Sequence, residues 1–399
     1  MAVLPPLAAV GPLVGGALNP FRLLAAALVA WWAWRALRSR RLTRLEGAVL
    51  IACGAVLGSA AVSYLRFGWP ASGLGELVSL LLGLLLIPVL VRASGHTDVV
   101  RWLLRGYAVM VLGLACVVAW EYATGLHLPN FVVPYEDRNS TGLWDSLAGT
   151  FTNPNQLAHV LVFAQPLLVA AACLERGRWR VVAAASAVLA FVLVYPTNSR
   201  VGWALTAATA LAVLASRRWG RWALGVAALA LAIPAVRSLV LSPVLTRLSK
   251  KEDIGADDPR LKMLRNGWSL LVESDFLGVG PEAFTHRVAA GAVPEPTEIV
   301  NPHNGVLEVL VQYGVPVFVL LLAGLGWALV RAIRSGGGPL LGAICLVVVE
   351  WGPGTVMNST WLLQATTQVE IAAVGFLLWH LGRGKVPQAP PPGPDTPTG

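Results

Sequence analysis

Four short polar stretches interrupt an otherwise apolar sequence, and each carries side chains suited to holding an anion or moving a proton. Gly149-Thr150-Phe151-Thr152-Asn153-Pro154-Asn155-Gln156 ends in two amides, which the Asn-Pro turn sets at a helix start. Pro196-Thr197-Asn198-Ser199-Arg200-Val201-Gly202-Trp203 places one Arg at the head of an apolar run. Asp257-Asp258-Pro259-Arg260 opens LKMLRNGWSLLVES, which adds Lys262 and Arg265. Asn301-Pro302-His303-Asn304-Gly305 leads into a further apolar run, with Glu308 one turn inside it. Guanidinium groups are planar, permanently charged forks for phosphate oxygens. Arg200 and Arg260, with Arg138 or Arg265, supply such forks, and helix N-termini at Asn155 and His303 add backbone donors. A helix N-terminus also favours the neutral form of His303, which then accepts a proton or a hydrogen bond.

Simpler roles compete at each position. Asn153 and Asn155 fit a capped helix start, Arg200 fits a side chain snorkelling to headgroups, and a lone His is often a satisfied structural residue. A buried Glu308 needs a partner in any reading.

The elements that must position these residues are membrane spans. The 399-residue chain is 56% hydrophobic and 13% charged, with 40 Gly and 27 Pro and a mean hydropathy of +0.66. Soluble domains carry about 25% charged residues, so this chain cannot cover a globule of its own size with polar groups. That excludes a cytosolic enzyme, a secreted disulfide scaffold and a disordered protein, and leaves a polytopic membrane protein. Apolar runs lie near 3–19, 20–37, 45–63, 74–92, 103–121, 155–174, 181–196, 201–216, 221–237, 304–330, 339–356 and 360–382. The expected architecture is therefore all-α with about twelve transmembrane helices. It divides into N-terminal helices over 1–121, an external loop over 122–154 and helices over 155–237. A long external segment over 238–303 precedes the tenth helix, with further helices over 304–382 and a Pro-rich disordered cytoplasmic tail over 383–399.

Orientation follows from the basic residues. Alternate connections hold eighteen of the 30 Lys and Arg, from Arg35 to Lys385, while the opposite short connections hold only Arg22, Arg66, Arg138 and Arg200. The positive-inside rule then sets both termini in the cytoplasm and all four polar stretches on the outer face. The net charge of +9 is thus explained by orientation, without nucleic acid. Trp residues gather near span ends as interfacial belts do. Cys53, Cys116, Cys173 and Cys345 lie far apart in apolar runs, with no metal-ligand spacing. No cleavable signal peptide is expected, since the apolar N-terminus lacks a basic start. An anionic head, an apolar tail and access along the membrane plane describe a lipid-linked pyrophosphate.

GTFTNPNQLA, TNSRVGW, Arg260 with LKML, FLGVGPEAF and PHNGVLEVLVQYG, in this order, resemble the O-antigen ligase/O-antigen polymerase family over about 145–330. The resemblance implies a GT-C-like fold and a metal-independent, inverting glycosyltransferase with no cofactor. Its donor would be a polyprenyl-pyrophosphate-linked glycan and its acceptor a hydroxyl of a glycan or glycolipid, at the outer face of a bacterial cytoplasmic membrane. Carried over, Arg200 and Arg260 hold the pyrophosphate and His303 acts at the acceptor or leaving group. Arg138, Arg265, Asn153, Asn155, Asn304 and Glu308 are expected around the substrate. Family members often carry Arg three residues before the Gly of GTF; here Ser146 stands there, and Arg138 is the nearest Arg upstream. A multi-span transporter or flippase for a lipid-linked glycan is the alternative. A metal-dependent oligosaccharyltransferase would want acidic ligands in its first outer loop, and 64–73 has none.

Overall fold

The structure is a computed structural model that describes residues 1–14, 19–95, 98–128, 146–216, 259–297, 300–336, 338–357 and 361–384. Among the described residues it is all-helical, with no strand. The helices are α1 (Leu4–Val14), α2 (Pro20–Ser39), α3 (Arg44–Phe67), α4 (Gly73–Ala93), α5 (Val99–Thr124), α6 (Pro154–Leu174) and α7 (Gly177–Leu193). After the turn Tyr195–Thr197 come α8 (Arg200–Ala215), α9 (Pro259–Glu273), α10 (Ala283–Ala289), α11 (Gly305–Arg334), α12 (Pro339–Thr355) and α13 (Ala365–Leu381). Six helices are long and apolar enough to cross a membrane: α3, α4, α5, α6, α7 extended through Thr197, and α11. Two shorter apolar helices, α8 and α12, add to them. The run expected over 221–237 and the tail beyond Gly384 lie outside the described residues. The described residues of α1, 11 in number, rise about 16 Å, and 15–18 of its apolar run lie outside the described residues.

Local chemistry fixes the helix starts. Asn19 caps α2, with Pro20 at its first position, and Thr43 with Glu46 closes a capping box on α3. Connections alternate between two ends of the bundle. At the basic end Arg92 on α4 bonds Glu46 and the Arg41 carbonyl. There too Arg105 pairs both nitrogens of its fork with Glu175 at 2.8 and 2.9 Å, and Arg331 reaches the Gly382 carbonyl. At the opposite end Arg22 donates to the Leu363 carbonyl at 2.9 Å and Arg66 pairs with Asp275. This second end holds the described parts of the four polar stretches. α6 lies in the core, buried along most of its length, and hairpins onto α7.

α11 is not one rod. Gly314 sits at φ 80° and ψ 169°, a conformation open only to glycine. Residues 276–280 pair with the broken turn: the Val279 and Gly280 N–H groups donate to the Val311 and Gln312 carbonyls, and Val315 N–H donates to the Phe276 carbonyl, each at 2.9 Å. A Cβ on Gly314 would stand 2.4 Å from the Leu277 carbonyl carbon, and one on Gly278 2.6 Å from the Gln312 oxygen. FLGVG and QYGVP are thus two halves of one backbone joint. The twenty residues below it, 315–334, rise about 30 Å, the thickness of the hydrocarbon core.

Candidate functional site

The GTF and TNSR stretches meet. Asn153 accepts from the Asn155 N–H at 2.8 Å and caps α6. Upstream, the Glu121 carboxylate at the end of α5 accepts from Gly149 N–H at 2.7 Å and from Ala148 N–H at 3.2 Å, and contacts His127. Leu147 N–H donates to the Pro196 carbonyl at 3.0 Å, and the Asn198 amide donates to Ser146 Oγ at 2.9 Å. Ser199 caps α8 through the Gly202 N–H. Arg200, the first residue of α8, is exposed beside this knot.

The second half is built by α9 and the start of α11. Leu264 and Trp268, which recur at helical spacing with Leu261 and Leu271, are 47% and 62% exposed. Met263, Gly267, Leu270 and Leu271 pack inward. The apolar arc of α9 is wide, so packing covers one side of it and leaves the other as an outward strip that Val272, Phe276 and Leu277 continue. Arg265 pairs with Glu295 at 3.1 Å, while Asn266 exchanges two hydrogen bonds with the Glu295 backbone. Arg260, at the exposed head of α9, lies within electrostatic reach of His303. Burial, and then the Arg260 charge, hold the imidazole below its usual pKa. His303 is half-buried at φ 45°, a strained backbone for a side-chain-bearing residue. The next residue, Asn304, caps α11 by accepting from Val306 and Leu307 N–H, both at 3.1 Å.

Glu308 joins the halves. Its two oxygens accept from the backbone N–H groups of Trp361 and Leu362 at 3.0 and 3.4 Å, just before α13. The Trp361 ring covers Gly305, where a Cβ would stand 2.7 Å from it. At the other end of the same connection Met357 Sδ accepts from Ser199 Oγ at 3.3 Å. Four peptide steps span at most about 14 Å. The turn bearing Arg200 and the helix start bearing His303 therefore flank one short connection between α12 and α13. Beneath it Glu76 accepts from Tyr313 Oη at 2.9 Å and from Glu282 N–H at 3.2 Å, tying α4 to α11 and to the 280–283 turn.

Residues 185–322 match the O-antigen ligase family model. This stretch is similar to the O-antigen ligase family. Similarity to that family points to glycosyl transfer in a multi-pass membrane protein, and no curated protein matches the sequence.

The ligase-family stretch runs from α7 into α11 and contains Arg200, Arg260, Arg265, His303, Asn304 and Glu308; Asn153, Asn155 and Arg138 precede it. Arg138 lies outside the described residues. Of the expected residues, Arg200 and Arg260 are exposed and His303 is half-buried within electrostatic reach of Arg260. Asn153 and Asn304 are engaged as caps, Glu308 as a backbone clamp and Arg265 as a loop brace. Sequence reasoning missed Glu121, His127, Glu76 and the 357–361 connection. Acidic residues just inside the ends of apolar runs were the available signal, since a carboxylate placed there must find donors. Among the described residues no group of His, Cys, Asp and Glu is arranged to hold a metal.

Proposed function

We propose that this protein moves a glycan from a polyprenyl-pyrophosphate carrier to a hydroxyl acceptor at the outer face of the bacterial cytoplasmic membrane. The reading is supported by the attachment of the Arg200 turn and of the His303 helix start, with Arg260 in electrostatic reach of His303, to the same connection at the end of the bundle remote from the basic loops. The charge asymmetry of the loops supports the outer placement. The exposed apolar strip of α9 supports a site open along the membrane plane.

Arg200 and Arg260 hold the pyrophosphate. The bond from the anomeric carbon to the pyrophosphate oxygen breaks while the acceptor oxygen forms a new bond from the opposite side, which inverts the anomeric centre. Pyrophosphate is already a good leaving group, so catalysis consists of alignment and of stabilising the charge that grows on it. His303, kept neutral by burial and by Arg260, takes the acceptor's hydroxyl proton late in transfer. No metal is used in this reading, and activity is expected to survive a strong chelator. Arg138 serves donor binding in place of the Arg that Ser146 replaces; an unchanged donor affinity after its substitution would remove it from the site.

The size profile of lipid-linked and surface glycans in a deletion strain tests the proposal, with complementation by wild type and by His303→Ala. Single repeat units accumulating on lipid identify a polymerase, and long polymer stranded on lipid identifies a ligase. An unchanged profile overturns glycosyl transfer. It would leave a transporter or flippase, a reading favoured by the ionisable pair His159 and Glu370 buried in the bundle.

A further inference from the structure

A second polar centre lies inside the bundle, below the connection that joins the two halves of the site. His159 on α6 sets Nδ1 3.0 Å from the Gly354 carbonyl at the end of α12, and Nε2 2.9 Å from Glu370 Oε2 on α13. Both side chains are buried. A carbonyl oxygen only accepts, so Nδ1 carries a hydrogen. The Nε2 to Oε2 contact then holds one further proton, either as imidazolium facing carboxylate or as neutral imidazole facing carboxylic acid. Each form is neutral overall, as burial beside Val162, Phe163 and Val347 requires. Loss of that proton would set a carboxylate oxygen against a bare nitrogen lone pair. The other titratable groups here, among the described residues, are Glu350 on α12, which lines the same cavity and accepts from Thr209, and Tyr107 on α5, within electrostatic reach of Glu370. Neither is a cation that would compensate.

Gly354 links this centre to the surface. Three residues on, Met357 meets Ser199, the cap that precedes Arg200. Trp351, which lines the cavity with His159, packs edge-on against Trp361 at 5.5 Å between ring centres, and Trp361 is held by Glu308. We propose that His159 and Glu370 are a positioning pair whose single shared proton ties α6 and α13 to the end of α12, and so sets the connection between Arg200 and His303. The role assigned to that connection rests on reading Arg200 and His303 as one site. The pair's effect rises and falls with its proton: it is present at low pH and lost as pH rises.

Hydrogen exchange at the Val356, Met357, Trp361 and Leu362 N–H groups tests this, in full-length protein held in lipid nanodiscs and corrected for base-catalysed chemical exchange. Glu370→Gln keeps the bond, since its amide donates to Nε2, and does not titrate. The expected result is protection that falls at least about tenfold in wild type as pH rises, stays level in Glu370→Gln, and is low at every pH in His159→Ala. Parallel loss of protection in wild type and Glu370→Gln, or full protection in His159→Ala, would overturn the proposal. If His159→Ala does not fold, wild type against Glu370→Gln decides alone. The exchange needs no glycan, so a lock found in a protein without transferase activity would sink the glycosyl-transfer reading and leave the lock standing.

Discussion

The Glu308 carboxylate sits 3.0 Å from the backbone nitrogen of Trp361, and this one contact fastens the helix start that carries His303 to the connection reached by the Arg200 turn. Glu308→Ala would leave the Trp361 and Leu362 N–H groups buried without an acceptor, a cost of about 1–3 kcal/mol each. Glu308→Gln keeps one acceptor oxygen and should cost less than half as much. Thermal unfolding of the detergent-solubilised protein, followed by size exclusion, is expected to rank wild type above Gln above Ala.

Arg200 is exposed at the head of a capped helix, so its replacement should spare folding. Arg200→Ala and His303→Ala are expected to insert at normal levels while transfer falls by about 10²–10³-fold, the scale of one lost charge-stabilising donor. Arg200→Lys should recover only part, because an ammonium lacks the two-pronged fork. Purified protein with a lipid-linked donor gives the rates. Loss of expression in both alanine variants would assign the residues to folding instead.

His303 titrates below the ordinary imidazole range because burial, and then Arg260, oppose its charged form. A protonated imidazole cannot accept the hydroxyl proton, so the acid limb of the transfer profile should lie lower than a free His would give. Arg260→Gln removes one of the two causes and should move that limb to higher pH. A limb that stays in place would show that another group titrates.

Gly314→Ala forces a Cβ to within 2.4 Å of the Leu277 carbonyl carbon in a backbone conformation that only glycine adopts. Its folded yield should collapse. Gly324→Ala, on the same helix with no atom within 4 Å of the added Cβ, should be neutral or slightly stabilising. Equal yields would mean that the joint is dispensable.

Much of this arrangement is legible in the chain. Helix starts announce themselves through local chemistry, as Asn153 with Pro154 and Asn304 with Gly305 do. Counting Arg in alternate connections brings Arg200 and His303 to one end because charge asymmetry is additive along the sequence. The break at Gly314 is hidden for a different reason. Residues 304–330 read as one apolar span, and only pairing with 276–280 makes the bend favourable. Glu121 and His159 are hidden likewise, since their partners at Gly149 and Glu370 are remote in sequence and a lone polar residue in an apolar run does not name its partner. On α9, periodicity identifies the apolar positions but not which of them neighbouring helices cover.

The joint at Gly314 also separates height from tilt. A helix in a thicker or thinner bilayer changes its inclination to match the hydrocarbon. An unbroken 30-residue rod would swing its far end sideways as it leaned. Here the lower 315–334 portion can lean while 305–313, fastened to 276–280 and to Trp361, keeps its place. The register between His303 and Arg200 should therefore be insensitive to lipid chain length.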